Sequence, residues 1–343
     1  MNLLDSTQGM PTWLSVLLII VLVLVVLAIV NYAVARWAER KHPPEGKFIE
    51  VNGTRLHYSD RGTGRPVVLL HGNVVTGADY NTSGVAERLV GKYRVVVFDR
   101  PGFGHSERPR GRKWTAGEQA DLIHAALVQL KVEPAVVVGH SWGTLVALAL
   151  AERHSADVAG LVLLSGYYFP TPRLDALLVA PAAVPVLGDI LRHTISPVFG
   201  WLNMPLMKRI MFAPAPLTER FKREYSTALA LRPSQLRATA ADGALMMSDA
   251  KALSARYGEL AMPVAIVAGS GDKVVSPDHA ERLRGAVPDA TLRTVEGAGH
   301  MVHHVATQQV VEAIEEIARR SKPASADQAP DLRPAGGPIR GAA

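Results

Sequence analysis

The chain contains a series of short, mostly apolar segments, and helical segments lie between most of them. Strands of this composition are buried on both faces, as in a mainly parallel sheet covered by helices. We therefore expect an α/β fold with helices at Thr115–Leu130, Leu145–Arg153 and Thr307–Arg319. The expected strands, preceded by a hairpin around Asn52-Gly53, are Pro66–Leu70, Tyr93–Phe98, Ala135–Val138, Leu161–Leu164, Val264–Ala268 and Leu292–Val295.

Residues 166–256 interrupt this pattern. Prolines are scattered through the interval, and short helix-like pieces fit between them, but no strand of the sheet does. We interpret 166–256 as a mainly helical cap inserted between two parts of the core, 48–165 and 257–320. Its apolar run Leu174–Leu187 is expected to be interior, or to contact lipid if a membrane lies beside it. The tail 321–343, rich in Pro, Ala and Gly, is expected to be disordered.

The N-terminal part of the chain has no charged residue between Asp5 and Arg36. Within it, Trp13–Val34 is continuously apolar, and as a helix rising about 1.5 Å per residue it would span roughly 33 Å, enough for the hydrocarbon layer of a bilayer. We therefore expect a tail at 1–12, a single transmembrane helix at 13–34 that contacts the lipid bilayer, and a juxtamembrane linker at 35–47.

Two other interpretations of this segment are weaker. A cleaved signal peptide has a basic N-terminal region and a shorter apolar stretch, whereas this N-terminus carries Asp5 and no Lys or Arg. The second interpretation is a helix buried inside a soluble protein. Because positive charges lie only on the C-terminal flank, the positive-inside tendency places the large domain in the cytoplasm.

Composition excludes several classes of function. The chain has no cysteine, which rules out a disulfide framework, a thiol nucleophile and a Cys-ligated zinc site. It has 37 Lys and Arg against 31 Asp and Glu, with no basic helix and no aromatic-basic strand pattern. We therefore expect no nucleic-acid partner.

The strongest chemical motif is Gly139-His140-Ser141-Trp142-Gly143, which follows an apolar strand and precedes a helix. A serine on such a sharp strand-to-helix turn is held away from the sheet with its hydroxyl exposed. Gly139 and Gly143 suit the turn because it leaves little room for Cβ atoms. The N–H groups at the helix N-terminus favour an oxyanion there. Ser141 is therefore the candidate nucleophile.

A serine nucleophile needs a base and an acid that orients the base, in the chain order Ser, Asp or Glu, His. Asp272 follows the strand Val264–Ala268, and His300 follows the strand that ends at Val295. Both lie at carboxyl ends of strands, the edge at which parallel sheets bind ligands. We expect Asp272 and His300 to meet Ser141 there.

The loop after the first parallel strand reads His71-Gly72-Asn73. In folds of this type that loop supplies one oxyanion-hole N–H, and the residue after the nucleophile supplies the other. We assign these donors to the backbone N–H groups of Asn73 and Trp142, with Gly72 as a supporting turn glycine.

Together these segments resemble the α/β-hydrolase superfamily, near its capped serine esterases, lactonases, cofactor-free haloperoxidases, carbon–carbon bond hydrolases and epoxide hydrolases. The resemblance covers Phe48–Arg319 and implies a serine hydrolase with an acyl-enzyme intermediate and no cofactor. Similar haloalkane dehalogenases and epoxide hydrolases have Asp at the nucleophile position, so Ser141 argues against both. The matching segments are His71-Gly72, Asp99–Ser106, Gly139–Gly143, Asp272 with Pro277, and Gly299-His300.

Two other ligand-binding interpretations are rejected. Gly102-x-Gly104 lacks the third glycine and the following helix of a dinucleotide site. His300, His303 and His304 have no neighbouring carboxylate in the sequence to complete a metal site, so we expect no metal.

The resulting hypothesis is a single-pass, membrane-anchored serine hydrolase acting on a carboxylic ester, with a small, apolar acyl compound as substrate. Lactone, carbon–carbon bond and perhydrolysis chemistry are alternatives within this class. A hydrolase-like fold retained as a non-catalytic binding module at the membrane is the alternative from a different class. The complete set of Ser141, Asp272 and His300 argues against such a module.

Overall fold

The structure is a computed structural model, and it describes residues 11–132, 134–172 and 180–321. These residues form one eight-stranded sheet in which the first hairpin is antiparallel, strand 2 pairs antiparallel with strand 4, and the remaining pairs are parallel. Their order across the sheet is 1-2-4-3-5-6-7-8. The strands are β1 (Lys47–Val51), β2 (Thr54–Arg61), β3 (Pro66–Leu70), β4 (Arg94–Phe98), β5 (Ala135–His140), β6 (Val158–Leu164), β7 (Val264–Gly269) and β8 (Thr291–Val295).

The helices alternate with the parallel strands and also fill the inserted interval. Short 3₁₀ helices occur at Ser155–Asp157, Ala180–Ala183 and Tyr257–Glu259. The α-helices are α1 (Thr12–Lys41), α2 (Ala78–Thr82), α3 (Val85–Leu89), α4 (Ala116–Leu130), α5 (Gly143–Arg153), α6 (Leu187–His193), α7 (Ile195–Phe212), α8 (Glu219–Glu224), α9 (Thr227–Ala230), α10 (Pro233–Ser254), α11 (Asp278–Ala286), α12 (Val302–Val305) and α13 (Thr307–Arg320).

The predicted strands are present in the structure. Helices cover both faces of the sheet. In β3, Val67 and Leu69 pack into the core on the side of α3 and α13, while Val68 and Leu70 pack on the side of α4 and α5. All four side chains are fully buried, which explains why this strand is apolar at every position. The predicted hairpin is also present, with a left-handed Asn52-Gly53 turn between β1 and β2.

The inserted interval is helical where it is described, and it contains no strand among those residues. Its helices are longer than the short pieces predicted from the spacing of the prolines. The 18-residue α7 contains Pro197 in its first turn and Pro205 in its interior, and α10 has 22 residues. A proline in the first turn costs little because the N–H it lacks has no helical partner there. Part of the run Leu174–Leu187, and the tail beyond Ser321, lie outside the described residues.

The N-terminal helix extends further than the apolar run. Because α1 continues to Lys41, most of the segment expected to be a linker at 35–47 is helical. Its apolar part is exposed rather than packed into the core, and by length and composition it is able to cross a membrane. A signal sequence near the N-terminus also passes this test of length and composition.

Candidate active site

Ser141 lies in a tight turn between β5 and α5, and its backbone has a φ of 51°. A positive φ is unfavourable for a residue with a Cβ, and it is the conformation expected at a nucleophile elbow. A Cβ on Gly143 would lie 2.3 Å from the Leu70 carbonyl oxygen, and one on Gly139 would lie 2.6 Å from the Gly143 carbonyl oxygen. The turn therefore closes only with glycine at both positions.

The three residues predicted to form the triad are brought together. His300 Nε2 lies 2.9 Å from Ser141 Oγ, and His300 Nδ1 lies 2.8 Å from Asp272 Oδ2. A carboxylate only accepts hydrogen bonds, so Nδ1 carries the proton and Nε2 is left to accept the serine hydroxyl. This tautomer is the one that allows the histidine to act as a base toward Ser141.

Asp272 is held by its own loop as well as by the histidine. Its Oδ1 accepts the backbone N–H groups of Val274 at 2.8 Å and Val275 at 2.9 Å. The loops that carry the acid and the base also contact each other, since Gly271 N donates to Ala298 O at 3.0 Å. Because the side chains of Asp272 and His300 are 3% and 4% exposed, respectively, little water competes for their hydrogen bond.

The loop after β3 packs directly against the serine. A Cβ on Gly72 would lie 2.9 Å from Ser141 Cβ, so only glycine allows this approach. The next residue is Asn73, and Trp142 follows the serine at the start of α5. Neither backbone N–H donates to another group in the part of the chain that the structure describes. Both N–H groups thus have no backbone acceptor among the described residues, and their role as oxyanion donors stays a prediction.

Arg100 fixes this loop, a role that the sequence analysis did not assign to it. Its side chain is completely buried. Nε donates to His71 O at 2.8 Å, and Nη2 donates to Gly72 O at 3.1 Å and to Asn73 Oδ1 at 2.9 Å. One guanidinium thus holds three successive residues, and with them the predicted oxyanion donor on Asn73.

The same guanidinium is paired with the cap. Arg100 Nη1 donates to Asp242 Oδ2 at 2.6 Å, and the guanidinium carbon stands 4.6 Å from the centre of the Trp142 ring. The indole Nε1 of Trp142 donates to Asp242 O at 3.0 Å. Asp242 belongs to α10, so one residue of the inserted interval contacts Trp142 directly and the Asn73 loop through Arg100.

The histidines after His300 have a carboxylate partner that the sequence analysis missed. His303 Nε2 and His304 Nε2 lie 2.6 and 2.8 Å from the two oxygens of Asp79. Burial by itself raises the pKa of Asp79, but His304 and His303 outweigh it and hold that pKa well below its usual range. The expectation that no carboxylate lies near these histidines is wrong, because Asp79 arrives from α2, more than 200 residues away in sequence.

This cluster also changes the assessment of a metal site. The ligand atoms of Asp79, His140 and His303 all lie within 4.8 Å of one another, so the three residues could hold a metal ion. The carboxylate of Asp79 is already bonded to two imidazoles, and burial lowers the pKa of His303. A neutral imidazole that donates to a carboxylate accounts for the two contacts of Asp79 without a metal, while Nδ1 of His140 and of His303 is buried with no hydrogen-bond partner among the described residues.

A cavity of about 560 Å³ lies elsewhere, between the end of α1, the first hairpin and the interval around α8. Its lining includes Lys41, His57, Val74 and Arg220, and it includes neither Ser141 nor His300. Val74, with a positive φ of 67°, is the residue after Asn73. The cavity is thus adjacent to the loop that carries the predicted oxyanion donor, and neither the nucleophile nor the base lines it.

Comparison with known proteins defines the class. Residues 65–307 match the family model of the alpha/beta hydrolase fold. The match includes all the residues predicted to form the site and most of the sheet. The protein therefore belongs to the α/β-hydrolase family, and it is a hydrolase by that membership.

Individual relatives differ in their chemistry. The chain is 28% identical to an uncharacterized protein of Mycobacterium tuberculosis over 305 residues, which are 84% of this chain and 85% of that protein. It is 32% identical to haloalkane dehalogenase 2 of Mycobacterium tuberculosis over 154 residues, 44% of this chain and 53% of that enzyme. The structure of an esterase from Exiguobacterium antarcticum has the same fold, with a TM-score of 0.66, 21% identity, and coverage of 80% of this chain and 99% of the esterase.

Proposed function

We propose that the protein is a serine hydrolase that cleaves a carboxylic ester of an apolar acyl group through an acyl-enzyme intermediate. The observation that carries this proposal is the continuous hydrogen-bonded chain from Ser141 through His300 to Asp272 at a strained strand-to-helix turn. Ser141 in the nucleophile position favours ester chemistry over dehalogenation, although a dehalogenase is among the relatives.

The geometry supports a two-step reaction. Ser141 Oγ attacks the ester carbonyl carbon while His300 Nε2 takes the hydroxyl proton, and Asp272 stabilises the imidazolium that forms. The backbone N–H groups of Asn73 and Trp142 bind the oxyanion of the tetrahedral intermediate. His300 then gives its proton to the departing alkoxide. Water attacks the acyl-enzyme by the reverse sequence and releases the acid, which restores Ser141.

The membrane is part of the same proposal. The exposed apolar helix α1 anchors the enzyme as a single transmembrane span, and the positive charges after it place the catalytic domain in the cytoplasm. A reporter fused to the C-terminus that is active only outside the cytoplasm would overturn this orientation. Recovery of a mature protein that lacks residues 12–34 would instead show that α1 is a cleaved signal sequence.

The first experiment is labelling of the full-length protein, solubilised in detergent, with a fluorophosphonate probe. Wild type is compared with Ser141→Ala, with His300→Ala, and with Ser248→Ala as a matched control, since Ser248 lies exposed on α10. We expect labelling of wild type and of the control, and loss of labelling in the other two variants.

The outcome of this experiment separates the two classes of function. Loss of labelling in Ser141→Ala and His300→Ala alone supports an activated serine and leads to a panel of esters of increasing acyl chain length. Carbon–carbon bond hydrolase, lactonase and haloperoxidase activity are then measured on the same proteins. Absence of labelling in folded wild type would favour a non-catalytic binding module.

A further inference from the structure

The large apolar side chains that are exposed in this protein are concentrated in two places. One is the apolar part of α1. The other is the inserted interval around α6 and α7, where the exposed set includes Val186, Leu187, Ile195, Phe199, Leu202 and Leu206, here called the apolar cap face. In the rest of the described chain only Trp37, Val128, Met247 and Val305 are of this kind. Monomeric soluble proteins rarely expose so large a contiguous apolar area.

The apolar cap face carries no unpaired charge between Pro181 and Met207, and the exposed Arg209 follows on α7 beyond that segment. From Pro181 to Met207 the ionised side chains are Asp189 and Arg192. These two form an ion pair with each other, and Arg192 is nearly fully buried. Asp189 is also paired with Arg110 at 2.6 Å. The side chains directed outward from α7, such as Phe199 and Leu202, therefore form a surface that water solvates poorly.

The cap is fixed to α1 at the level of its uncharged segment. Asn31 Nδ2 donates to His193 O at 2.9 Å and to Thr194 O at 2.7 Å, the carbonyl groups at the junction of α6 and α7. Asn31 precedes Arg36, the first charged residue after the apolar run, by less than two helical turns. An amide that satisfies two helix-end carbonyls is the type of contact that stabilises helix association where water is scarce.

At the other end of α1 the contacts are ionic. Glu39 pairs with Arg232 at 3.1 Å, and Lys41 lines the cavity beside the first hairpin. The contacts between α1 and the rest of the protein thus change from an ion pair at Glu39 to uncharged hydrogen bonds at Asn31. A bilayer crossed by the apolar part of α1 would meet the apolar cap face next, because the two surfaces are joined at Asn31.

We propose that the apolar cap face inserts into the hydrocarbon of the bilayer leaflet beside α1, so that an apolar ester enters the site from the leaflet rather than from water. This inference rests on the proposed anchor, and it goes further by assigning a second, monotopic contact to α6 and α7. The continuity of the two exposed surfaces at Asn31 makes lipid the occupant of this face.

The test uses the natural absence of cysteine, since each introduced cysteine is then the only one in the chain. Phe199→Cys and Leu202→Cys carry a spin label on the apolar cap face. Leu22→Cys marks the anchor, and Val128→Cys on α4 is the control, because Val128 is 50% exposed and lies outside the proposed contact. The full-length protein is reconstituted in phosphatidylcholine vesicles, and accessibility to oxygen is compared with accessibility to a water-soluble nickel chelate.

We expect the labels at 22, 199 and 202 to be accessible to oxygen and protected from nickel, and the label at 128 to show the opposite. Nickel accessibility at 199 and 202 with protection at 22 would overturn the membrane contact of the cap and leave the anchor intact. Nickel accessibility at 22 as well would overturn the anchor itself. Protection at 202 with dipolar broadening between labels would show that a second copy of the chain covers the face, which also overturns the proposal.

A functional measurement follows from the same surface. Leu202→Glu places a charge in the proposed lipid contact, and Val128→Glu is the matched control. Hydrolysis of a long-chain ester presented in vesicles is expected to fall about tenfold in Leu202→Glu, because a charge in hydrocarbon is costly, while hydrolysis of a short soluble ester is unchanged. Equal rates for the two variants on vesicles would contradict entry from the leaflet.

Discussion

Asp242 and Arg100 form an ion pair of 2.6 Å, and both side chains are completely buried. Arg108 lies 2.8 Å from the other carboxylate oxygen, so one anion from the cap pairs with two cations of the core. Because Arg100 also holds the carbonyl groups of His71 and Gly72, the position of the predicted oxyanion loop depends on a residue of the inserted interval. The cap is therefore part of the structure of the site as well as a cover for it.

Asp242→Asn tests this dependence. The substitution leaves two buried guanidinium groups without an anion, and removing one partner of a buried ion pair typically costs about 3–5 kcal/mol. We expect a loss of that order in the free energy of unfolding, measured by chemical denaturation in detergent. The control is Glu281→Gln, whose pair with Arg284 is exposed and is worth under about 1 kcal/mol. Similar small losses in both variants would show that Asp242 does not hold the site.

Gly143→Ala tests the packing of the elbow. The new Cβ would lie 2.3 Å from Leu70 O and 2.6 Å from His71 O, and these backbone atoms cannot rotate away. Such overpacking costs about 1–3 kcal/mol or more, and the displaced loop is expected to lower esterase activity about 100-fold. Gly285→Ala in α11 is the control, because nothing lies within 4 Å of its Cβ position. It should be neutral or stabilising by up to about 1 kcal/mol, and full activity of Gly143→Ala would contradict the close packing.

The central strands of the sheet, β3 to β7, were predictable because they are buried on both faces. Each strand then needs apolar residues at every position, and runs such as Pro66–Leu70 stand out from the helices around them. The relationship between Ser141, Asp272 and His300 followed from the same rule, since each residue comes directly after a strand and parallel strands end at one edge. Local sequence was sufficient wherever the residue and the strand are adjacent in the chain.

The partners of the buried ionic groups were not predictable in this way. Asp242 reaches Arg100 across 142 positions, and Asp79 reaches His303 across 224. Nothing near Asp242 distinguishes it from a surface residue of a helix, because its neighbours do not show that the helix packs over a buried arginine. The end of α1 was missed for a different reason: hydropathy falls at Arg36, but the helical hydrogen bonds continue to Lys41 because charged residues are good helix formers.

His71 gives the protein a defined response to acid. Burial, assisted by Arg100, lowers the pKa of His71 to about 4, compared with about 6.5 in an unfolded chain. Between these values the unfolded state binds a proton that the folded state does not. The free energy of unfolding therefore falls as pH falls through this window, by about 1.4 kcal/mol per pH unit and about 3 kcal/mol in total.

The measurement is chemical denaturation at several pH values between 4 and 8, for wild type and His71→Asn. The variant is expected to be less stable at every pH, but its stability should fall less steeply between pH 6 and 5, by about 1.4 kcal/mol per unit. Burial also lowers the pKa of His140 and His303, so some dependence remains in the variant. An unchanged slope would mean that His71 is protonated in the folded protein.

Asp272→Asn isolates the effect of the acid from that of its shape. The asparagine side chain retains the oxygen that accepts the N–H groups of Val274 and Val275, but it places an N–H group toward His300 Nδ1. Nδ1 must then accept, which moves the imidazole proton to Nε2, where it faces Ser141 and blocks proton removal. By analogy with the same change in serine proteases, we expect kcat for an ester to fall about 10⁴-fold, with little change in the thermal midpoint.

The control is Asp278→Asn, which removes the same charge six positions away, at the exposed start of α11, and should retain full activity. Near wild-type kcat in Asp272→Asn would mean that Asp272 only shapes the turn and that His300 is oriented by another group.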